Sequence, residues 1–171
     1  NAASSGTPNW GASNATRDPD ADLLSMVDQS GDDRGINPNI VLLGGTAAVR
    51  RKMAIRASDK AGGFASTAMS YEDLADYLEV DLVFPIKARY QSSASAKSKI
   101  AGSIAFAYWA QNGATKDDPS NIKRFTTMTP SGAFRVYIEP MMKRTRIAVE
   151  HYSRIVATST LGIRSLAPSF T

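Results

Sequence analysis

Residues 37–52 read NPNIVLLGGTAAVRRK, and the class of fold follows from this stretch. Ile40-Val41-Leu42-Leu43, behind Pro38 and Asn39, is a short apolar run that suits a strand buried on both faces. Gly44-Gly45 breaks it. Thr46 can then N-cap a helix whose apolar positions Val49 and Met53 fall four apart. A buried strand feeding a helix implies a fold of class α/β or α+β.

Upstream, Asp18-Pro19-Asp20-Ala21-Asp22 could be a carboxylate cluster for a metal but is better read as a helix start. Asp18 is the N-cap, Pro19 opens the first turn, the acids face the helix dipole, and Leu23, Met26 and Val27 form the apolar stripe. Residues 28–39 begin like a calcium loop but carry Asp33 where glycine is needed and Asn39 where glutamate is needed. Gly31 and Gly35 instead end the helix. Residues 1–17, rich in Asn, Ala, Ser and Thr around Trp10, read as an extended arm or loop. Asn14-Ala15-Thr16 is a formal glycosylation sequon without a secretory signal, and is assigned to chance.

Downstream, residues 60–69 are a flexible, glycine-bearing connection. Ser70-Tyr71-Glu72-Asp73 is a capping-box start for a helix with Leu74, Tyr77 and Leu78 on one side. Val80–Phe84, closed by Pro85, is a second apolar strand. The order strand, helix, helix, strand is a crossover placing both strands in one sheet, with Leu42 and Val83 in its core. Residues 86–99 form a polar, small-residue loop with Lys87, Arg89, Lys97 and Lys99. Ile104–Trp109 is a third strand, with Ile104, Phe106 and Tyr108 sharing a face. Residues 112–121 are a loop, Phe134–Glu139 alternates up to Pro140, 146–158 is β-rich, and 161–166 is a last short strand. The expected fold is α+β, a mixed central sheet flanked by helices.

The 171 residues allow one ordinary domain, or one with a partial second, and 43% hydrophobic residues suffice for a core. No apolar run is long enough to cross a bilayer, and no signal-peptide pattern is present. The chain opens on Asn1 and not on methionine, as a processed product or part of something longer would. Absence of cysteine excludes disulfides, thiol catalysis and cysteine-ligated metals. The net charge of +4 hides an asymmetry: residues 1–85 carry 7 Lys/Arg against 12 Asp/Glu, and residues 86–171 carry 13 against 4. A dipolar chain suits ordered neighbours or a polyanion on one side; two solvated faces of opposite sign suit it equally.

Catalytic patterns are missing. His151, the one histidine, lies in a strand pattern between Glu150 and Tyr152 and reads as a surface or interface residue. There is no GxSxG, no HExxH and no Walker lysine. Gly44-Gly45-Thr46 could cradle a phosphate at a helix N-terminus, but it lacks the GxGxxG spacing and reads as a tight turn. Asp73 with Asp76 or Glu79 could pair as acid and base, yet carboxylates on a helix surface are ordinarily just solvated. Tyr108 and Trp109 beside basic residues could stack on bases, although strand periodicity places at least one in the core. The expectation is no enzyme, no cofactor and no metal.

The order of the segments says more than any one residue. Trp10–Asp22, NPNIVLLGGTAAVRR, LADYLEVDLVF, KARYQSSASAKSKIAGSIAFAYW, and SGAFRVYIEP followed by RIVATSTLGIR cover most of residues 10–166. In this order the chain resembles the C-terminal half of a tailed-bacteriophage major capsid protein of the Hong Kong 97 type. The resemblance implies an arm or loop over 1–17, an axial-type α+β domain over 18–140, and a β-rich ending over 141–171 that returns to a peripheral domain. It also implies a virion subunit that forms pentamers and hexamers around double-stranded DNA, with copies of itself and other capsid proteins as neighbours and no membrane. The arm, extended loop and spine helix that precede this region in the family have no counterpart here. Nor can any residue be matched to the lysine and asparagine that cross-link some relatives.

Within a ring of copies, the small-residue stretch 91–99, with 62–68 second, is expected to order only against neighbours. Lys87, Arg89, Lys97 and Lys99 would then meet Asp73, Asp76 and Glu79 of the adjacent copy. An encapsulin-like shell, a basic nucleic-acid-binding module and a small hydrolase using His151 are the competing readings.

Overall fold

The computed structural model describes residues 3–11, 18–58, 69–111, 118–126 and 134–170. The chain divides into two compact units, residues 1–121 with 160–171, and residues 122–159. The class is α+β, as expected. In the first unit β2 (Ile40–Gly44) pairs parallel with β3 (Leu82–Ile86) and antiparallel with β6 (Ala105–Tyr108). β6 pairs antiparallel with β11 (Arg164–Leu166), which pairs parallel with β1 (Ala3–Ser4). The order is therefore β1-β11-β6-β2-β3, and the three strands expected near 39–43, 80–84 and 104–109 share one sheet.

One face of that sheet makes the core. Val41 stands opposite Val83 and Ala107, and Leu43 and Leu166 both stand opposite Ala105; all six are buried. They cluster with Leu23, Met26 and Val27 of α1 (Pro19–Arg34), Ala47, Ala48 and Ala54 of α2 (Gly45–Ser58), and Leu74, Ala75 and Leu78 at α3 (Tyr71–Tyr77). The alternate residues Ile40, Leu42, Leu82, Phe84, Phe106 and Tyr108 belong to the opposite face, where none is fully buried. β2 is thus buried on one face and not on two, and Leu42 is not the core residue expected of it. Val83 is.

α1 starts as its sequence requires. The Asp18 carboxylate accepts from the Asp20 amide at 2.9 Å, a cap that contributes about 1 kcal/mol. Gly35, at φ 76°, closes the helix in the left-handed conformation, whereas Gly31 lies inside it and does not end it. α3 likewise shows the expected capping box between Ser70 and Asp73.

α2 departs from expectation twice. It begins at Gly45, and Thr46 is not its cap. The first amides donate instead to a neighbouring loop: Gly45 to the Ala101 carbonyl at 2.9 Å, and Thr46 and Ala47 to the Gly102 carbonyl at 2.9 and 3.2 Å. Its inward face is Ala47, Ala48, Arg51 and Ala54, while Val49 and Met53 are about half exposed. Arg51, fully buried, reaches Asp20 of α1 with Nε at 2.5 Å and Nη2 at 2.8 Å from the two carboxylate oxygens. A guanidinium so far from water is tolerable only with this bidentate partner.

Two further differences concern segment ends. Pro85 lies inside β3, opposite Leu43, and does not close the strand. Because β3 is an edge, its missing amide donor breaks no ladder bond. Residues 86–99 contain a hairpin of β4 (Arg89–Gln91) and β5 (Lys97–Lys99), not a loop throughout. Residues 3–11 lie along the body, with Trp10 fully buried and its Nε1 donating to Asp22 at 2.9 Å. The connection expected at 60–69 lies, apart from Met69, outside the described residues, as does 112–117 of the loop expected at 112–121.

The second unit consists of two antiparallel ribbons. β7 (Ile122–Thr126) pairs with β10 (Ser153–Ala157), and β8 (Phe134–Met141) pairs with β9 (Arg144–His151). β8 runs through Pro140, which stands opposite Thr145.

Candidate contact surface

The hairpin places the four expected cations unequally. Arg89 and Lys99 are directly opposite each other across β4 and β5, and Lys97 is opposite Gln91. Like charges at a directly opposed pair are unfavourable unless something negative relieves them. Lys99 Nζ donates to Thr46 Oγ1 at 2.9 Å, which ties the hairpin to the start of α2. Lys87, Arg89 and Lys99 line one groove of about 320 Å³, and Lys52 of α2 is the fourth cation there. Ala48, Val49, Pro85 and the Tyr71 ring supply apolar surface. The Lys52 ammonium lies 5.3 Å from the centroid of that ring. Lys97 is exposed and does not line the groove.

The acids divide similarly. The Asp73 carboxylate is engaged within its own chain, accepting from Ser70 Oγ at 2.8 Å and from the Ser70 amide at 3.3 Å. Asp76 and Glu79 are exposed, and Glu79 holds φ 53°, an unusual left-handed backbone for a residue with a side chain. Glu72, also exposed, precedes Asp76 by four positions, so these two acids share one side of α3, while Glu79 lies just beyond its C-terminal cap. Lys52 and Glu72 were missed in the sequence. Glu72 is recognisable from its spacing, but Lys52 lies 35 residues before Lys87 and joins the cluster only through the fold.

Other candidates resolve differently. The α2 amides that could have cradled a phosphate are occupied by the 101–102 carbonyls. His151 stacks on Phe134 at 4.6 Å between centroids, and its Nε2 lies 3.2 Å from an Arg124 guanidinium nitrogen. Since the guanidinium can only donate, Nε2 accepts and the ring proton sits on Nδ1. Asp33 and Arg164 form a bidentate pair at 2.6 and 2.7 Å. That hydrogen bonding holds the Asp33 carboxyl below its usual range, and the same contact raises Arg164. Burial raises the Tyr108 hydroxyl. Among the described residues no group of three or more His, Asp or Glu gathers as a metal site would require. Among those residues, too, no helix is long and apolar enough to cross a membrane.

Neither a scan against protein-family models nor a search of curated proteins found a match. Among solved structures, the fold is similar to that of a phage-related protein from Bordetella bronchiseptica RB50, with a TM-score of 0.75 at 15% identity. The match covers 96% of this chain and 55% of that one, so the chain spans about half the length of its structural neighbour. At this identity the likeness establishes the fold.

Proposed function

We propose that the chain is a structural subunit of an icosahedral phage capsid, associating with copies of itself into pentamers and hexamers that enclose double-stranded DNA in the virion. The observation that carries the reading is the fold similarity to a phage-related protein over nearly the whole chain. The subunit works by geometry and not by bond-making chemistry, and it needs no cofactor. The two charged surfaces supply the contact. The groove of Lys52, Lys87, Arg89 and Lys99 on one copy receives Glu72 and Asp76 of α3, and Glu79 just beyond its end, on the next. Two different patches meeting in this way make a head-to-tail interface, which closes into a ring. Exposed pairs of this kind contribute about 1 kcal/mol or less each, so they set register more than affinity.

The test is electron microscopy of the full-length product, with and without Arg89→Glu and Lys99→Glu. Closed particles from the parent, with lower yield and altered salt sensitivity in the reversed variants, are expected. Unchanged assembly at low and high salt would remove the hairpin from the contact, and absence of particles from the parent would overturn the capsid reading. The basic second half of the chain favours nucleic-acid binding as a second reading; steep loss of DNA affinity between low and moderate salt, without particles, would support that instead.

A further inference from the structure

The β8–β9 ribbon has two unlike faces. Its register places Phe134 with His151, Val136 with Val149, and Ile138 with Ile147 on one side; Arg135 with Glu150, and Glu139 with Arg146, lie on the other. The apolar side is bare: Val136, Ile138, Ile147 and Val149 are 59%, 65%, 65% and 61% exposed. A two-stranded ribbon is marginal in water on its own, and this one exposes the side chains that would stabilise it. The central sheet has a matching deficit. Its helix-free side carries Ile40, Leu42, Phe106 and Tyr108, and at the edge strand Leu82 and Phe84 are 47% and 53% exposed.

We infer that the apolar side of the β8–β9 ribbon docks on the helix-free side of the central sheet, near Leu82 and Phe84, of a second copy of the chain. Charge favours this pairing. The 122–159 unit carries seven Lys/Arg and two Glu, whereas residues 70–89, from α3 through the exposed edge strand, carry five acids against Lys87 and Arg89. The field draws the two together and apolar burial holds them. Area selects the occupant. Eight residues at ~3.4 Å each, on two strands ~4.8 Å apart, present roughly 270 Å². Both sides together fall well short of the ~1,200 Å² that a stable separate complex buries. An unrelated partner held by this face alone would dissociate readily, whereas a second copy brings the charged groove as an additional contact in a closed assembly. The inference rests on the proposed self-association.

The sequence contains no cysteine, so introduced thiols report cleanly. Full-length Ile138→Cys and Phe84→Cys proteins, one carrying a mass tag, are mixed under mild oxidation, with Leu82→Cys as an alternative to Phe84→Cys should that variant fold poorly. A disulfide-linked heterodimer in several-fold excess over either homodimer is expected. Predominant 138–138 linkage would mean ribbon against ribbon. A chain carrying both thiols that closes on itself at high dilution would mean docking within one chain. Either result, or no cross-link, overturns the inference. Closed particles without the 138–84 link would sink it and leave the capsid reading intact; linked pairs in a product that never closes into shells would do the reverse.

Discussion

Arg51 is the residue on which the helical layer most depends. It is fully buried, and its charge is balanced by Asp20 on the preceding helix. Removing one partner leaves the other charge stranded, so Asp20→Asn or Arg51→Met should cost about 3–5 kcal/mol in urea unfolding, while the double change to apolar residues should cost much less. Gly44 is constrained by space: a methyl there would lie 2.4 Å from the Gly102 carbonyl oxygen. Gly44→Ala should therefore lower stability by about 2 kcal/mol or more in thermal melts, by forcing the 101–104 loop off the start of α2. Asp33 gives a pH signature. Its folded carboxyl titrates below the ordinary value of 3.8, so the stability it contributes is present above that pH and is lost as pH falls through the lower folded value. In acid melts, parent and Asp33→Asn should differ above pH 3.8 and converge below it.

At the level of elements, local chemistry makes α1, α3 and the positions of β2, β3 and β6 legible in the sequence. Asp18-Pro19 and Ser70 with Asp73 are self-contained start signals, and the apolar runs at 40–43 and 82–84 have few other uses. α2 was located but turned the wrong way. Bulk suggested Val49 and Met53 as the inward side, yet three alanines and an arginine occupy it, because small side chains let the helix lie close to its neighbours. Leu43→Ala should consequently cost about 3 kcal/mol, and Val49→Ala less than about 0.5 kcal/mol, in the same denaturant series. The β4–β5 hairpin was unreadable for the opposite reason: polar, small-residue strands have no alternation to detect. The groove's cations were visible in the sequence, but their convergence with Lys52 depends on that hairpin and on the parallel pairing of β2 with β3.

For the molecule as a whole, the sheet contains pairings that no local pattern announces. β11 inserts between β6 and β1, joining residue 164 to residues 107 and 3. Trp10 is buried beside this junction, and its amide donates to the Ser169 carbonyl at 2.9 Å. A chain ending after Gly162 should lose several kcal/mol by chemical denaturation, since Leu166 leaves the core and Ala105 and Ala107 lie on a strand without its neighbour. Limited proteolysis of that product should cut first within residues 3–11, which pair with the missing strand.

That same insertion sets an order on biosynthesis. Strands β2, β3 and β6 have all left the ribosome before residues 164–169 are made, and β1 waits longest of all, across some 160 intervening positions. Until then β6 offers its open ladder to any other nascent chain, the kind of long-range closure that folds slowly. Prematurely terminated polypeptides never receive the closing strand. Such chains keep that ladder open, so completing residues 164–166 is the step that removes a reactive edge from solution.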